Sequence, residues 1–179
     1  MLYLTASRSD IQFCVCLCAR FQSNPKESHF KVAKRILKYL RGKTNVGLWY
    51  PNESKIVLSG FSYSDYAGCN LDRKNTSGTC HLFRSSLISW NSKKQACVQL
   101  STTKVEYIAV GHACAQSLWL KHQLMDYGIK LEKVPLYCNN TSAINLTKNP
   151  IEHSKTKHIE IRHHFIREHI QKVKLKSSL

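Results

Sequence analysis

The hydrophobic period changes once along this 179-residue chain, and the change limits what the chain can fold into. Up to residue 50 apolar side chains recur at helical spacing; from Lys55 they alternate. Lys55–Phe61 (KIVLSGF) reads as a strand, Thr79–Phe83 as a second, and Leu87–Trp90 with Cys97–Leu100 as further strand material. Polar turns at Asn70–Ser77 and Ser85–Ser86 separate them, so the stretch predicts a meander of about three strands. Ser101 is placed to cap a long helix over residues 102–127, with Val105, Ile108, Trp119, Leu120 and Leu124 inward and Gly128 as its stop. Val134–Cys138 is a short strand, a helix follows over 141–147 before Asn149-Pro150, and a last helix over 157–172 presents Ile159, Phe165, Ile166 and Ile170. A strand that follows a long helix returns by a crossover and joins the sheet in parallel. The predicted class is therefore α/β, a mixed sheet with flanking helices.

The first fifty residues read differently. A helix is expected around Asp10–Phe21, and Asn24-Pro25-Lys26-Glu27 combines a capping amide, a first-turn proline and an acid at a helix start. Val32, Ile36, Leu37 and Leu40 then predict a helix over 25–41, with Lys31, Lys34, Arg35, Lys38 and Arg41 on its exposed side, and Gly47–Tyr50 a short strand. The division expected is a helical segment over 1–53, an α/β domain over 54–172 and a frayed basic tail over 173–179.

Lys and Arg total 27 against 11 Asp and Glu, a net charge of +16, which favours a polyanionic partner, nucleic acid first. A membrane is not expected, because no apolar run is long enough to span one. Arg8 and Asp10 break the early apolar stretch, so it does not read as a secretory signal, and a cytoplasmic or nuclear site follows. The eight cysteines include no Cys-x-x-Cys pair and read as buried reduced thiols. Trp90, Trp119 and Tyr50 read as core. His158, His163, His164 and His169 lack the four-residue spacing that puts two imidazoles on one helical face, and read as part of a basic face rather than a zinc site.

Among so few acids, Asp65 follows the first long strand, Glu106 starts the long helix and Glu160 starts the last one, while Asn139 ends the short strand. Carboxylates gathered at such strand ends and helix starts would hold two Mg²⁺ ions and hydrolyse a phosphodiester.

Motifs sharpen this reading. Residues 2–42, LYLTASRSDIQFCVCLCARFQSNPKESHFKVAKRILKYLRG, resemble the connection that follows the reverse transcriptase in copia-type retrotransposon Pol polyproteins of plants. SYSDYAGCNLDRKNTSGTC (62–80), SWNSKKQACVQLSTTKVEYIAVG (89–111), YCNNTSAINLTKNP (137–150) and HSKTKHIEIRHHFIREHI (153–170) resemble the ribonuclease H domain that comes after it. The resemblance implies a ribonuclease H-like fold and Mg²⁺- or Mn²⁺-dependent cleavage of RNA in an RNA–DNA hybrid, with the hybrid and a reverse transcriptase chain as partners.

The carry-over is incomplete. The family motif Ser-Asp-Ala-Asp-Tyr-Ala-Gly is Ser62-Tyr63-Ser64-Asp65-Tyr66-Ala67-Gly68 here, so Tyr63 stands where the first acid is expected and Asp65 matches the second. The helix motif keeps its acid as Glu106, with Lys104 replacing an earlier one. The Cys-Asp-Asn motif is Cys138-Asn139-Asn140, and the last motif keeps Glu160. Two of four expected acids are thus replaced, and the resemblance implies weak or absent hydrolysis with residual nucleic-acid binding. The alternatives are activity through Asp65, Glu106 and Glu160 as catalytic and metal-binding acids, a non-catalytic interaction module, or a relic without function. The residues expected to contact phosphate are Arg73, Lys74, Lys93, Lys94, Lys157, His158 and Arg162.

Overall fold

The computed structural model describes residues 2–52, 55–65, 73–96, 98, 101–148 and 173–177. The chain divides into two units, Met1–Tyr50 and Pro51–Leu179.

In the first unit, two 3₁₀ turns, Leu2–Ala6 and Ser9–Ile11, lead into α1 (Gln12–Ala19), and α2 spans Glu27–Gly42. Ile11 and Val15 meet Ile36 in a small core, with Cys18, Val32 and Leu40 against it. A polar clasp adds to it. Arg8 grips Asp10 with Nε and Nη2 at 2.9 and 2.7 Å, Tyr39 donates to Asp10 Oδ2 at 2.9 Å, and Arg8 Nη1 reaches the Lys43 carbonyl at 3.2 Å. The Arg8 guanidinium lowers the Asp10 carboxyl to about 2. The expected Asn24 cap is not used. Lys26 is the N-cap, and its backbone N–H donates to His29 Nδ1 at 3.0 Å, with the His29 ring stacked on Phe21. Gly47–Tyr50 joins no strand, and Tyr50 is exposed, so neither its strand nor its core expectation holds. The run is only four residues long and is closed by Pro51, which has no N–H for a ladder.

In the second unit, β1 (Leu58–Ser64), β2 (Thr76–Phe83) and β3 (Ser86–Lys94) form the antiparallel meander. Arg84 and Ser85 take positive φ at the β2–β3 turn, the conformation a two-residue hairpin requires. β3 covers the expected Leu87–Trp90 and runs on to Lys94; Val98 is in no strand, and the rest of the expected Cys97–Leu100 material lies outside the described residues. α3 (Thr102–Asp126) crosses over to β4 (Val134–Cys138), which pairs in parallel with β1, and α4 (Thr141–Lys148) follows. Gly128, at φ 77°, closes α3 with Ile129 N–H on the Leu124 carbonyl. The expected helix over 157–172 lies outside the described residues.

The frayed-tail expectation is overturned. Val173–Ser177 is a strand, β5, in parallel register with β4 from Val134↔Val173 to Cys138↔Ser177. Val173 and Leu175 alternate with Lys174 and Lys176, and the apolar pair packs into the core around Val110, Ala113, Cys114, Leu118, Leu136 and Ile144. A basic tail with period-two apolar residues is a suitable edge strand, because its lysines discourage further pairing. The sheet order is β3-β2-β1-β4-β5, the mixed α/β sheet expected from the ribonuclease H resemblance.

α3 lies on one face of this sheet. Its buried line runs through Val110, Ala113, Cys114, Ser117, Leu118 and Leu120; Trp119 falls off that line and is 56% exposed, against expectation. Trp90 is only partly buried. Not all thiols are buried either. Cys114 and Cys138 are, and burial raises Cys114 to about 11, but Cys14 is exposed and Cys16 and Cys18 are partly so, because two-residue spacing cannot put all three on one helical face. Among the described residues no helix is long and apolar enough to cross a membrane.

Two core features generate tests. A Cβ at Gly60 would lie 2.8 Å from Leu136 Cδ1 and 3.0 Å from both His81 Cδ2 and Ser117 Oγ. Gly60→Ala is expected to cost about 1–3 kcal/mol by overpacking, read as a lower urea midpoint. His81 is fully buried; its Nε2 lies 3.1 Å from the Ala113 carbonyl and 3.0 Å from Ser117 Oγ, and burial lowers its pKa. The unfolded chain therefore takes up this proton first. The stability His81 contributes is complete above the ordinary histidine range of about 6.5 and declines as pH falls below it. Urea midpoints measured from about pH 7.5 down to about pH 5.5 should fall, and His81→Leu should flatten that slope.

Candidate functional site

The site is assembled where β1 ends, β2 begins and α3 enters its second turn. Ser101 Oγ accepts the Lys104 N–H at 3.3 Å, which sets the first turn of α3 and so the position of Glu106. Glu106 is 7% exposed, and its Oε1 accepts the Ser64 backbone N–H at 3.2 Å. Its Oε2 is buried without a hydrogen bond. Burial raises the Glu106 pKa, partly opposed by the Ser64 bond.

Gln95, just beyond β3, organises the same corner. Its Nε2 donates to Ser77 Oγ at 2.7 Å, the Val105 carbonyl at 3.0 Å and Ser64 Oγ at 3.3 Å, and its backbone N–H reaches the Asn75 carbonyl at 2.8 Å. One buried amide thus joins β1, β2 and α3 beside Glu106. Sequence reasoning passed over it; the available signal was a lone amide ending the polar run Ser92-Lys93-Lys94-Gln95 between a strand and a helix cap.

Asp65 does another job. Its N–H donates to the Thr76 carbonyl at 3.1 Å and its Oδ1 accepts the Thr76 N–H, so its carboxylate closes the start of the β1–β2 ladder. Tyr63 is exposed and Asn139 follows β4, where Ser62↔Cys138 is the last parallel pair. Both line an open groove of about 390 Å³ with Phe61, Gly78, Cys80, Asn91 and Tyr137. The structure therefore brings Tyr63 and Asn139 together. Of the two described acids of the expected set, Asp65 spends its Oδ1 on the Thr76 N–H, and Glu106 holds a buried oxygen without a hydrogen bond.

Of the expected phosphate contacts, Arg73 and Lys74 lead into β2, while Lys93 and Lys94 lie opposite Ser77 and Thr76 on β3. All four share one end of the hairpin. Glu160, Lys157, His158 and Arg162, with the late histidines, lie outside the described residues.

A two-metal centre needs several oxygen ligands on each ion. No group of three His, Cys, Asp or Glu able to hold a metal occurs among the described residues. A phenol at 63, an amide at 139 and a carboxylate at 65 already bonded to backbone do not supply the set. The described donors do not fit that cofactor by themselves.

Comparison with known proteins places the chain. It is 40% identical over 98% of its length to the retrovirus-related Pol polyprotein from transposon TNT 1-94 of Nicotiana tabacum, and 38% identical over 94% to that from transposon RE1 of Arabidopsis thaliana. This chain belongs to the retrovirus-related Pol polyproteins of plant transposons. It spans 13% and 12% of the length of those two relatives. No family model matches. Among solved structures, the N-terminal RNase H domain of rv2228c from Mycobacterium tuberculosis superposes with a TM-score of 0.47 at 5% identity, covering 69% of this chain and 83% of that one. The second unit of this retrotransposon Pol segment is an α/β domain, with the strand order and parallel crossover given above.

Gln95→Met keeps the length of the side chain and removes its donor. It leaves Ser77 Oγ, Ser64 Oγ and the Val105 carbonyl short of a buried partner. The expected loss is about 1–3 kcal/mol in urea unfolding.

Proposed function

We propose that this Pol segment binds RNA–DNA hybrid through its ribonuclease H-like domain and has lost most or all of the hydrolysis that the family resemblance implies. The observation that carries the reading is the paired replacement at the end of the two central parallel strands. Tyr63 and Asn139 share one groove where two carboxylates are expected, and Asp65 is engaged by the Thr76 N–H.

A divalent metal, where bound, would activate water and stabilise the leaving oxygen. Tyr63 supplies a phenol in place of a carboxylate, and Asn139 keeps a carbonyl without a charge. Glu106 alone retains a buried, unclaimed carboxylate oxygen in the described site. Burial favours its neutral form further when no cation is near.

Binding does not need those acids. Arg73, Lys74, Lys93 and Lys94 gather at one end of β2–β3 and would contact phosphates irrespective of sequence, within a chain of net charge +16. Affinity should therefore fall steeply with salt and follow duplex shape. The first unit resembles the connection of these polyproteins, which supports a reverse transcriptase chain as its partner.

The test is cleavage of a labelled RNA–DNA hybrid in Mg²⁺ and then Mn²⁺, with the doubly substituted Tyr63→Asp/Asn139→Asp protein alongside. Wild type is expected to be silent and to retain salt-sensitive hybrid binding, while the double variant cleaves. Cleavage by wild type that Glu106→Gln abolishes would sink the proposal and favour the reading in which Asp65, Glu106 and Glu160 suffice.

A further inference from the structure

The groove that the lost acids leave behind has a chemistry of its own. Its wall is aromatic: the rings of Phe61 and Tyr137 stack with centroids 4.9 Å apart and an interplanar angle of 17°. Tyr63 is 59% exposed at the same groove. Its cross-strand partner on β2 is Gly78, which has no side chain to fill the space beside it; a Cβ there would meet nothing nearer than 4.0 Å. Asn91 and Asn139 bring amides to the lining. Lys176, on the neighbouring strand β5, holds its ammonium 5.7 Å from the Tyr137 ring centre, so a cation borders the aromatic wall.

We infer that this groove is a stacking slot for an unpaired nucleobase, and that the ligand it takes is single-stranded nucleic acid. Tyr63 offers a ring face, the Phe61–Tyr137 pair forms the wall, the two amides can meet the polar edge of a base, and Lys176 is placed for the adjoining phosphate. Each base has a π-face, so such a slot tolerates sequence, and the backbone charge supplies the rest of the affinity. The net charge of +16 makes a polyanion the complementary occupant, where a neutral planar ligand would gain nothing from Lys176 or the chain's field. An acid at position 63 would have repelled that same backbone, so one substitution both removes a metal ligand and creates a platform. The inference rests on the nucleic-acid reading above and adds to the hybrid a second class of ligand, strands without a partner.

The experiment uses the full chain and a single-stranded oligonucleotide of about 12 nucleotides carrying 2-aminopurine, in RNA and DNA versions, with the matching hybrid as a second probe. Stacking on Tyr63 quenches the probe; anisotropy reads affinity. Tyr63→Ala is expected to weaken single-strand binding about tenfold and remove the quench, with hybrid affinity unchanged within about twofold. Tyr63→Phe should keep both signals, because the ring and not the hydroxyl carries them. An exposed residue tolerates these changes, and matched circular dichroism confirms the fold.

Three results would overturn the slot: no single-strand binding by wild type, wild-type affinity and quench retained in Tyr63→Ala, or equal weakening for single strand and hybrid. Failure of hybrid binding with a Tyr63-dependent single-strand signal intact would instead remove the duplex reading and leave the slot standing.

Discussion

The second unit depends on how closely α3 approaches β1. Gly60 supplies the room on the strand, and Ala113 and Ser117 supply it on the helix. His81 is held between them, with Nε2 near both the Ala113 carbonyl and Ser117 Oγ, and Ser117 Oγ also donating to the Ala113 carbonyl at 2.8 Å. A close-packed interior has little slack, so one added methyl at Gly60 would have to move a leucine, an imidazole and a hydroxyl together. The same approach sets how deeply α3 seats its second turn, and therefore brings Glu106 to the Ser64 N–H. Packing in the middle of the helix thus positions chemistry at its start.

Around that corner the polar groups divide their work. Gln95 ties three elements, Asp65 closes a ladder, and Glu106 keeps one oxygen without a partner. A site built for divalent ions would leave such an orphan carboxylate oxygen tolerable, because a cation would satisfy it. Without the neighbouring acids the same oxygen is a cost to folding that the protonated form reduces. Glu106 and Gln95 thus hold this corner together, while Tyr63 and Asn139 line a groove without adding a carboxylate.

Much of this was legible from residue patterns. The α3 span, its Ser101 cap, Gly128 stop and the β4 limits follow from local chemistry: a hydroxyl before a helix, a glycine able to take positive φ, and an apolar run bounded by polar residues. The motif comparison located Tyr63, Glu106 and Asn139 by number. Asp65 was not legible in the same way. Its place two residues past Tyr63 is read from the motif, and only the register of β1 on β2 shows that its Oδ1 also takes the Thr76 N–H. Trp119 misled for another reason: it falls off the buried line of α3 although Leu118 and Leu120 on either side are in the core.

By itself the sequence determined the α/β order and the family, because periodicity, caps and motif spacing are properties of neighbouring residues. Tertiary structure decided the rest. Val173–Ser177 is a strand because β4 offers an edge and the core offers a place for Val173, where local composition predicts fraying. Gln95 matters because strands and a helix far apart in the chain converge on its amide. Tyr63 and Asn139 share a groove because two parallel strands end together. Long-range pairing makes these choices, and a residue's neighbours in sequence carry no record of which distant backbone will lie beside it.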